Sequence, residues 1–169
     1  MTDSPGRPAD RFARLAAMVR LEVARTARVV AEAEQARADF ADREPPLREL
    51  RGIGDILHDF YTGIEHVFER IAPELNGGVP AGPAWHRRLL ETMTLDLPGI
   101  RPPLLPVATA RALEDFLRFR HLFRNVYGFE LEWPKLRALL DRLPTAWGEV
   151  DAALRRFLEF LDAGARTPG

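Results

Sequence analysis

The sequence of 169 residues has no cysteine, a single lysine (Lys135) and no long uncharged apolar run. Without cysteine the chain can form no disulfide bond, no thiolate metal site and no thiol nucleophile. No window approaches the roughly 18 apolar residues of a transmembrane helix. The N-terminal segment also lacks the apolar run of a signal peptide. These absences predict a cytoplasmic protein that has no membrane segment.

Hydrophobic residues make up 46% of the chain, and the formal net charge is -1. This length and this hydrophobic share are typical of one globular domain, which we expect to span residues 1–169. The positive charge is almost entirely arginine. An arginine bias suits phosphate recognition, and it also arises from codon composition alone.

Hydrophobic periodicity predicts an all-α protein. The first helix is predicted over about residues 10–44, because helix-forming residues continue there without glycine or proline until Pro45. A second helix follows, and its apolar residues recur at spacings of three and four, as a core-facing stripe requires. The stripe consists of Ile53, Ile56, Leu57, Phe60, Ile64, Val67, Phe68 and Ile71.

After a loop rich in glycine and proline, a shorter helix is predicted over about residues 84–94, and another begins near Ala108. Pro134 and Pro144 are each predicted to lie in the first turn of a further helix, the last of which ends near Leu161. The expected architecture is an antiparallel bundle of about four long helices plus short additional helices.

The densest positive charge lies in RFRHLFRNVY, residues 118–127, which contains three arginines, one histidine and no acidic residue. At about 100° per residue, its polar and apolar residues are predicted to lie on opposite faces of the helix. The predicted core face is Phe119, Leu122, Phe123, Val126 and Phe129. The predicted exposed face is Arg118, Arg120, His121, Arg124 and Asn125, with Tyr127 at the border. A face of one sign indicates either a solvated surface or a site for an anion such as phosphate.

These residues also resemble the motif of the HepT-like ribonuclease toxins of the HEPN superfamily, in which an arginine and a polar residue precede a histidine and a tyrosine. Arg120, His121 and Tyr127 match the motif, and Asn125 occupies the position of the histidine. With LHDFYTGIEHVFERIA and IRPPLL, the resemblance covers a core of about residues 50–162.

The resemblance implies a helical homodimer in which two motif helices meet at a shared cleft. It implies an endoribonuclease that cuts RNA without a metal ion or another cofactor. It also implies neutralisation by a nucleotidyltransferase antitoxin, which can adenylylate the tyrosine that corresponds to Tyr127.

Cleavage of RNA by its own 2′-hydroxyl requires a base, an acid and stabilisation of the negative phosphorane. Arg120 and Tyr127 are candidate catalytic residues from the motif, and Arg118 and Arg124 are candidate phosphate-binding residues. Asn125, at the catalytic histidine position, cannot titrate, so His121 is the candidate for proton transfer.

The places of four residues outside the motif are also predicted. Asp59 or Glu65 is expected to approach from the second helix and orient an arginine. Tyr61 is expected in the core or an interface, and His86 at a helix surface or in a loop contact. No paired ligand spacing indicates a metal site.

Two alternatives to a nuclease remain from the sequence. The first alternative is a non-catalytic RNA-binding relative. The second is a helical module whose arginine face docks an acidic partner. A third possibility is a pure dimerisation face, at which Leu117 and Gly128 allow close helix contact.

Overall fold

The computed structural model describes residues 7–125 and 130–167, which form five helices and no strand. The helices are α1 (Pro8–Asp39), α2 (Leu47–Leu75), α3 (Trp85–Thr92), α4 (Val107–Asn125) and α5 (Trp133–Arg166). The predicted all-α bundle, with four long helices and a short one, is therefore confirmed.

Helix α1 runs antiparallel to both α2 and α5. At its start Arg11 binds Glu74 near the end of α2, and Phe12 meets Phe160 of α5 edge to face at 5.9 Å. At its end Phe40 meets Trp133, the first residue of α5, at 6.4 Å. Helix α4 packs on α2 and α5, and α3 packs on α2 and α4. The three elements α2, α3 and α4 therefore meet on one side of the α1–α5 pair.

The core stripe predicted for α2 is confirmed except at Ile56, which is half-buried. Tyr61 is also fully buried in this helix, as expected for a core residue. Phe60 packs edge to face on Phe116 of α4, with 5.0 Å between the ring centroids. The amphipathic pattern of α2 thus fixes which side of the helix receives α4.

Three predicted helix boundaries were wrong, one of them the end of the last helix, which continues past Leu161 to Arg166. Helix α1 ends at Asp39 and not near Glu44, and the Arg137 guanidinium donates to the carbonyl oxygens of Phe40 and Ala41 just beyond its end. Pro144 lies inside α5 and begins no new helix.

Helix α5 passes through Pro144 because its buried face continues on both sides of that residue. Leu143 and Leu140 lie before the proline, and Ala146 and Val150 follow it, all of them 4% exposed or less. Burial of this continuous stripe outweighs the one backbone hydrogen bond that proline removes. Among the described helices, none is both long enough and apolar enough to cross a bilayer.

Gly63 of α2 lies directly against Thr26 of α1, and this contact predicts opposite effects for two glycine substitutions. A Cβ at Gly63 would overlap the Thr26 hydroxyl oxygen, so Gly63→Ala should lower the free energy of unfolding by about 1–3 kcal/mol. A Cβ at Gly52 of the same helix meets nothing within 4 Å, so Gly52→Ala should raise it by roughly 0.5–1 kcal/mol. Urea denaturation followed by circular dichroism measures both. Equal effects of the two changes would show that the interhelical contact imposes no constraint.

Candidate active site

Arg120 is not on the exposed face predicted for the motif helix. It is 4% exposed, because position 120 follows Phe116 by four residues and shares the buried side of α4 with Phe116 and Leu113. Leu122, which was predicted for the core, is 37% exposed. The buried face of α4 is thus rotated from the predicted one, and it includes the guanidinium of Arg120.

The buried Arg120 guanidinium is held by two side chains of α2. Its Nη2 lies 2.9 Å from Glu65 Oε1, and its Nε donates to Thr62 Oγ1 at 3.2 Å. Glu65 is itself only 1% exposed. Glu65 thus contacts the motif arginine from the second helix. An ionised carboxylate in such a buried place requires a paired charge.

The second oxygen of Glu65 contacts His86 of α3. His86 Nδ1 lies 2.7 Å from Glu65 Oε2, and the imidazole stacks on the Trp85 indole with 3.6 Å between the ring centroids. His86 was predicted only at a helix surface or in a loop contact, because 21 residues separate it from Glu65 and no spacing pattern joins them. One carboxylate therefore connects the motif arginine to a histidine of another helix.

Tyr61 lies one turn from Glu65 on the buried face of α2. Among the described side chains, its hydroxyl has no hydrogen-bond partner. Burial, and secondarily the negative charge of Glu65, raises the pKa of Tyr61 far above its ordinary value, against the opposing influence of Arg120. Tyr61 therefore stays neutral and is not available as a base.

A pocket of about 250 Å³ opens between α3 and α4 beside His86. His121 of α4 lines it and is exposed to solvent. Its lining residues are Pro83, Ala84, His86, Arg87, Glu114, Leu117, Arg118 and His121. Two imidazoles and two guanidiniums thus border one space that a ligand can enter.

The exposed face of α4 is not purely cationic. Arg118 Nη1 lies 3.4 Å from Asp115 Oδ1, one turn earlier, and Arg142 of α5 binds the other oxygen of Asp115 at 2.9 Å. Glu114 lies in the pocket wall beside them. The decapeptide of residues 118–127 has no acid of its own, but the preceding turn of the helix supplies two.

Two further predicted site residues, Arg124 and Asp59, are not among the residues that line this pocket. Arg124 is exposed near the end of α4. Asp59 is exposed and lies 3.1 Å from His58 of its own helix. The side chain of Asn125 and the whole of Tyr127 lie outside the described residues. Within residues 7–125 and 130–167, no three acidic or imidazole side chains converge on a point where a metal ion would bind.

The sequence profile of the HepT-like protein family matches residues 52–161 of the chain. The match begins in α2 and ends in α5, so it includes Glu65, His86 and Arg120. No curated protein and no solved structure matches the chain. The family that residues 118–127 indicated is thus confirmed over more than half of the 169 residues. The chain belongs to the HepT-like protein family.

Proposed function

We propose that this HepT-like protein is a metal-independent endoribonuclease, the toxin component of a toxin–antitoxin pair. The observation that carries the proposal is the pocket between α3 and α4, where His121 and Arg118 share one wall inside the family-matched segment. Family membership favours ribonuclease chemistry. The pocket offers the imidazole and guanidinium groups that this chemistry needs.

The exposed arginines of α4 are suited to bind the RNA phosphate. Arg118 is held by Asp115 in an exposed ion pair at 3.4 Å, and such pairs contribute only about 0–1 kcal/mol. A phosphate can therefore replace the carboxylate, and Arg124 extends the same positive surface toward the end of the helix. Arg120 is too deeply buried for this task, and its proposed role is to hold Glu65 in place.

The proposed partners are RNA, a second copy of this chain and a nucleotidyltransferase antitoxin, as in HepT-like toxins. Adenylylation of Tyr127 would add an anionic nucleotide three residues after Arg124 in the sequence. That charge would repel RNA from the arginine surface.

Replacing His121 by alanine should lower the rate of RNA cutting on the order of 10²-fold, since His121 supplies one of the two proton transfers. The measurement is the initial rate of cleavage of total transfer RNA in EDTA, resolved on a denaturing gel. His66→Ala is the matched control, because His66 is exposed on α2 and does not line the pocket. Equal rates for His121→Ala and the native protein would remove His121 from the mechanism.

A protein that binds RNA without cutting it is the principal alternative, and Asn125→His distinguishes the two. If Asn125→His alone cuts RNA, then the native chain is a nuclease scaffold silenced at the motif histidine. Docking of an acidic protein is less favoured, because Asp115 already neutralises part of the arginine face. Such docking would weaken steeply with salt and would tolerate Arg118→Lys.

A further inference from the structure

We propose that His86, held by Glu65, is the second proton-transfer residue of the pocket and replaces the histidine missing at position 125. The inference rests on the proposed RNA cleavage. It adds a catalytic residue on α3, outside the motif helix, and it names Glu65 as the residue that positions it.

The contacts of Glu65 determine which nitrogen of His86 carries the proton. Arg120 donates to Glu65 Oε1 at 2.9 Å, so the carboxylate presents its other oxygen, Oε2, to His86 as a hydrogen-bond acceptor. His86 Nδ1, at 2.7 Å from Oε2, must therefore be the N–H donor. The neutral imidazole then has its lone pair on Nε2, on the side of the ring away from Glu65.

His86 lies at the border of the pocket, where a substrate can contact its ring. The side chain is 22% exposed and lines the pocket, while its stack on Trp85 and its bond to Glu65 fix the plane of the ring. A base that is oriented before the substrate arrives needs no reorganisation in the transition state. His86 can therefore carry out the proton transfer for which the amide of Asn125 has no titratable group.

His86 and His121 line the same pocket from α3 and α4, and together they complete a balanced reaction. His86 Nε2 takes the proton of the RNA 2′-hydroxyl as the 2′-oxygen forms a bond to phosphorus. The bond from phosphorus to the 5′-oxygen breaks, and the protonated His121 gives its proton to that oxygen. The products are a 2′,3′-cyclic phosphate and a 5′-hydroxyl, and exchange with water restores both imidazoles.

Two guanidiniums border the same pocket and suit the charge of the phosphate. Arg87 and Arg118 line it, and each is paired with an exposed acid of its own helix, Glu91 at 3.1 Å and Asp115 at 3.4 Å. Exposed pairs of this kind within one helix are weak, so a phosphodiester can take their place. A phosphodiester that binds in the pocket would thus lie beside two guanidiniums and two imidazoles.

The first test replaces His86 by asparagine and compares His58→Asn as the control. The two histidines are matched, because their side chains are 22% and 23% exposed and each has a carboxylate partner, but His58 does not line the pocket. With total transfer RNA in EDTA, His86→Asn should cut about 10²- to 10⁴-fold more slowly. His58→Asn should keep the native rate, and circular dichroism should show that both variants are folded.

The second test reads the protonation of His86 without any substrate. Two-bond ¹H–¹⁵N spectra should show the Nδ1–H form in the native protein. In Glu65→Gln, the single amide oxygen stays on Arg120 and the amide NH₂ turns to His86, so the ring should switch to the Nε2–H form and cutting should fall with it. Glu22→Gln is the control, since Glu22 is also buried (3% exposed) but is paired with Arg25 and Arg70.

The outcomes separate this inference from the proposed function. If the native protein cuts RNA and His86→Asn cuts equally fast, the role of His86 is overturned and the nuclease proposal stands. If the native protein does not cut RNA, both fail, whatever the spectra show. If the native ring carries its proton on Nε2, the Glu65–His86 geometry itself is contradicted.

Discussion

Replacing Glu65 by leucine should lower the free energy of unfolding by about 3–5 kcal/mol, because it leaves the Arg120 guanidinium buried without a counter-charge. Arg120 is 4% exposed, and within residues 7–125 and 130–167 the hydrogen bond that remains to it is the one to Thr62 Oγ1. The same change removes the partner of His86, although that side chain can turn toward the pocket and water. Urea denaturation followed by circular dichroism gives the free energy directly.

A second substitution shows that the loss comes from an uncompensated charge. Glu65→Leu combined with Arg120→Met should recover most of the lost stability, since apolar residues of similar volume often replace a buried pair without cost. Glu22→Leu is the matched single control. Its partners Arg25 and Arg70 are 58% and 50% exposed, so water solvates them when the carboxylate is gone. A loss for Glu65→Leu no larger than that for Glu22→Leu would contradict the prediction.

In an activity test on Arg120, loss of stability must be separated from loss of chemistry. Loss of RNA cutting in Arg120→Ala would follow from unfolding as well as from a missing catalytic group. Arg120→Met must therefore be assayed at a temperature and concentration at which the denaturation curve shows it to be folded. Only then does a lost rate refer to chemistry.

Replacing Arg101 by methionine should lower the free energy of unfolding by about 2–4 kcal/mol, because its hydrogen-bond acceptors are left unpaired. The guanidinium is 2% exposed and donates to Asn76 Oδ1 at 2.7 Å and to the carbonyl oxygens of Thr92, Leu95 and Pro102 at 2.8, 3.1 and 2.9 Å. One side chain thus ties the end of α2 to the end of α3 and to the connector that leads into α4. Thermal denaturation measures the loss.

Lysine should not rescue position 101. Burial lowers the pKa of the Arg101 guanidinium, against the opposing effect of Asp96. An ammonium has a lower pKa to begin with and only three donors from one point, so it cannot reach the same four acceptors. Arg156→Met, at an exposed position of α5, is the control and should change stability by less than about 0.5 kcal/mol. If Arg101→Met melts like Arg156→Met, the carbonyl groups find water and the prediction is wrong.

The helices and the core face of α2 were predictable because apolar spacing in α2 is regular and its burial follows from that spacing alone. Pro144 was misjudged because local preference favours a helix start at proline, whereas the buried stripe of α5 from Leu136 to Leu161 keeps the helix continuous. Local rules thus identified the helices, and tertiary burial decided one of the ends.

The site was predictable only in part. Arg120 was assigned to the surface with the other charged residues of α4, yet its spacing of four from Phe116 places it on the buried face. Its counterpart on α2 is Glu65, which is buried three residues before Phe68. Two opposite charges at core-facing positions of two helices could therefore have predicted the buried ion pair. The contact between His86 and Glu65 could not be predicted, because it depends on the path of the loop between α2 and α3.

Glu65 has one further consequence, for how this protein can change over generations. One of its oxygens bonds the core arginine and the other bonds the histidine of the pocket, at 2.9 and 2.7 Å. A mutation at this codon is therefore exposed to selection on folding even in a lineage that no longer uses the pocket. The orienting carboxylate would then persist after the chemistry is lost, and a silenced copy would remain one or two substitutions from an active one.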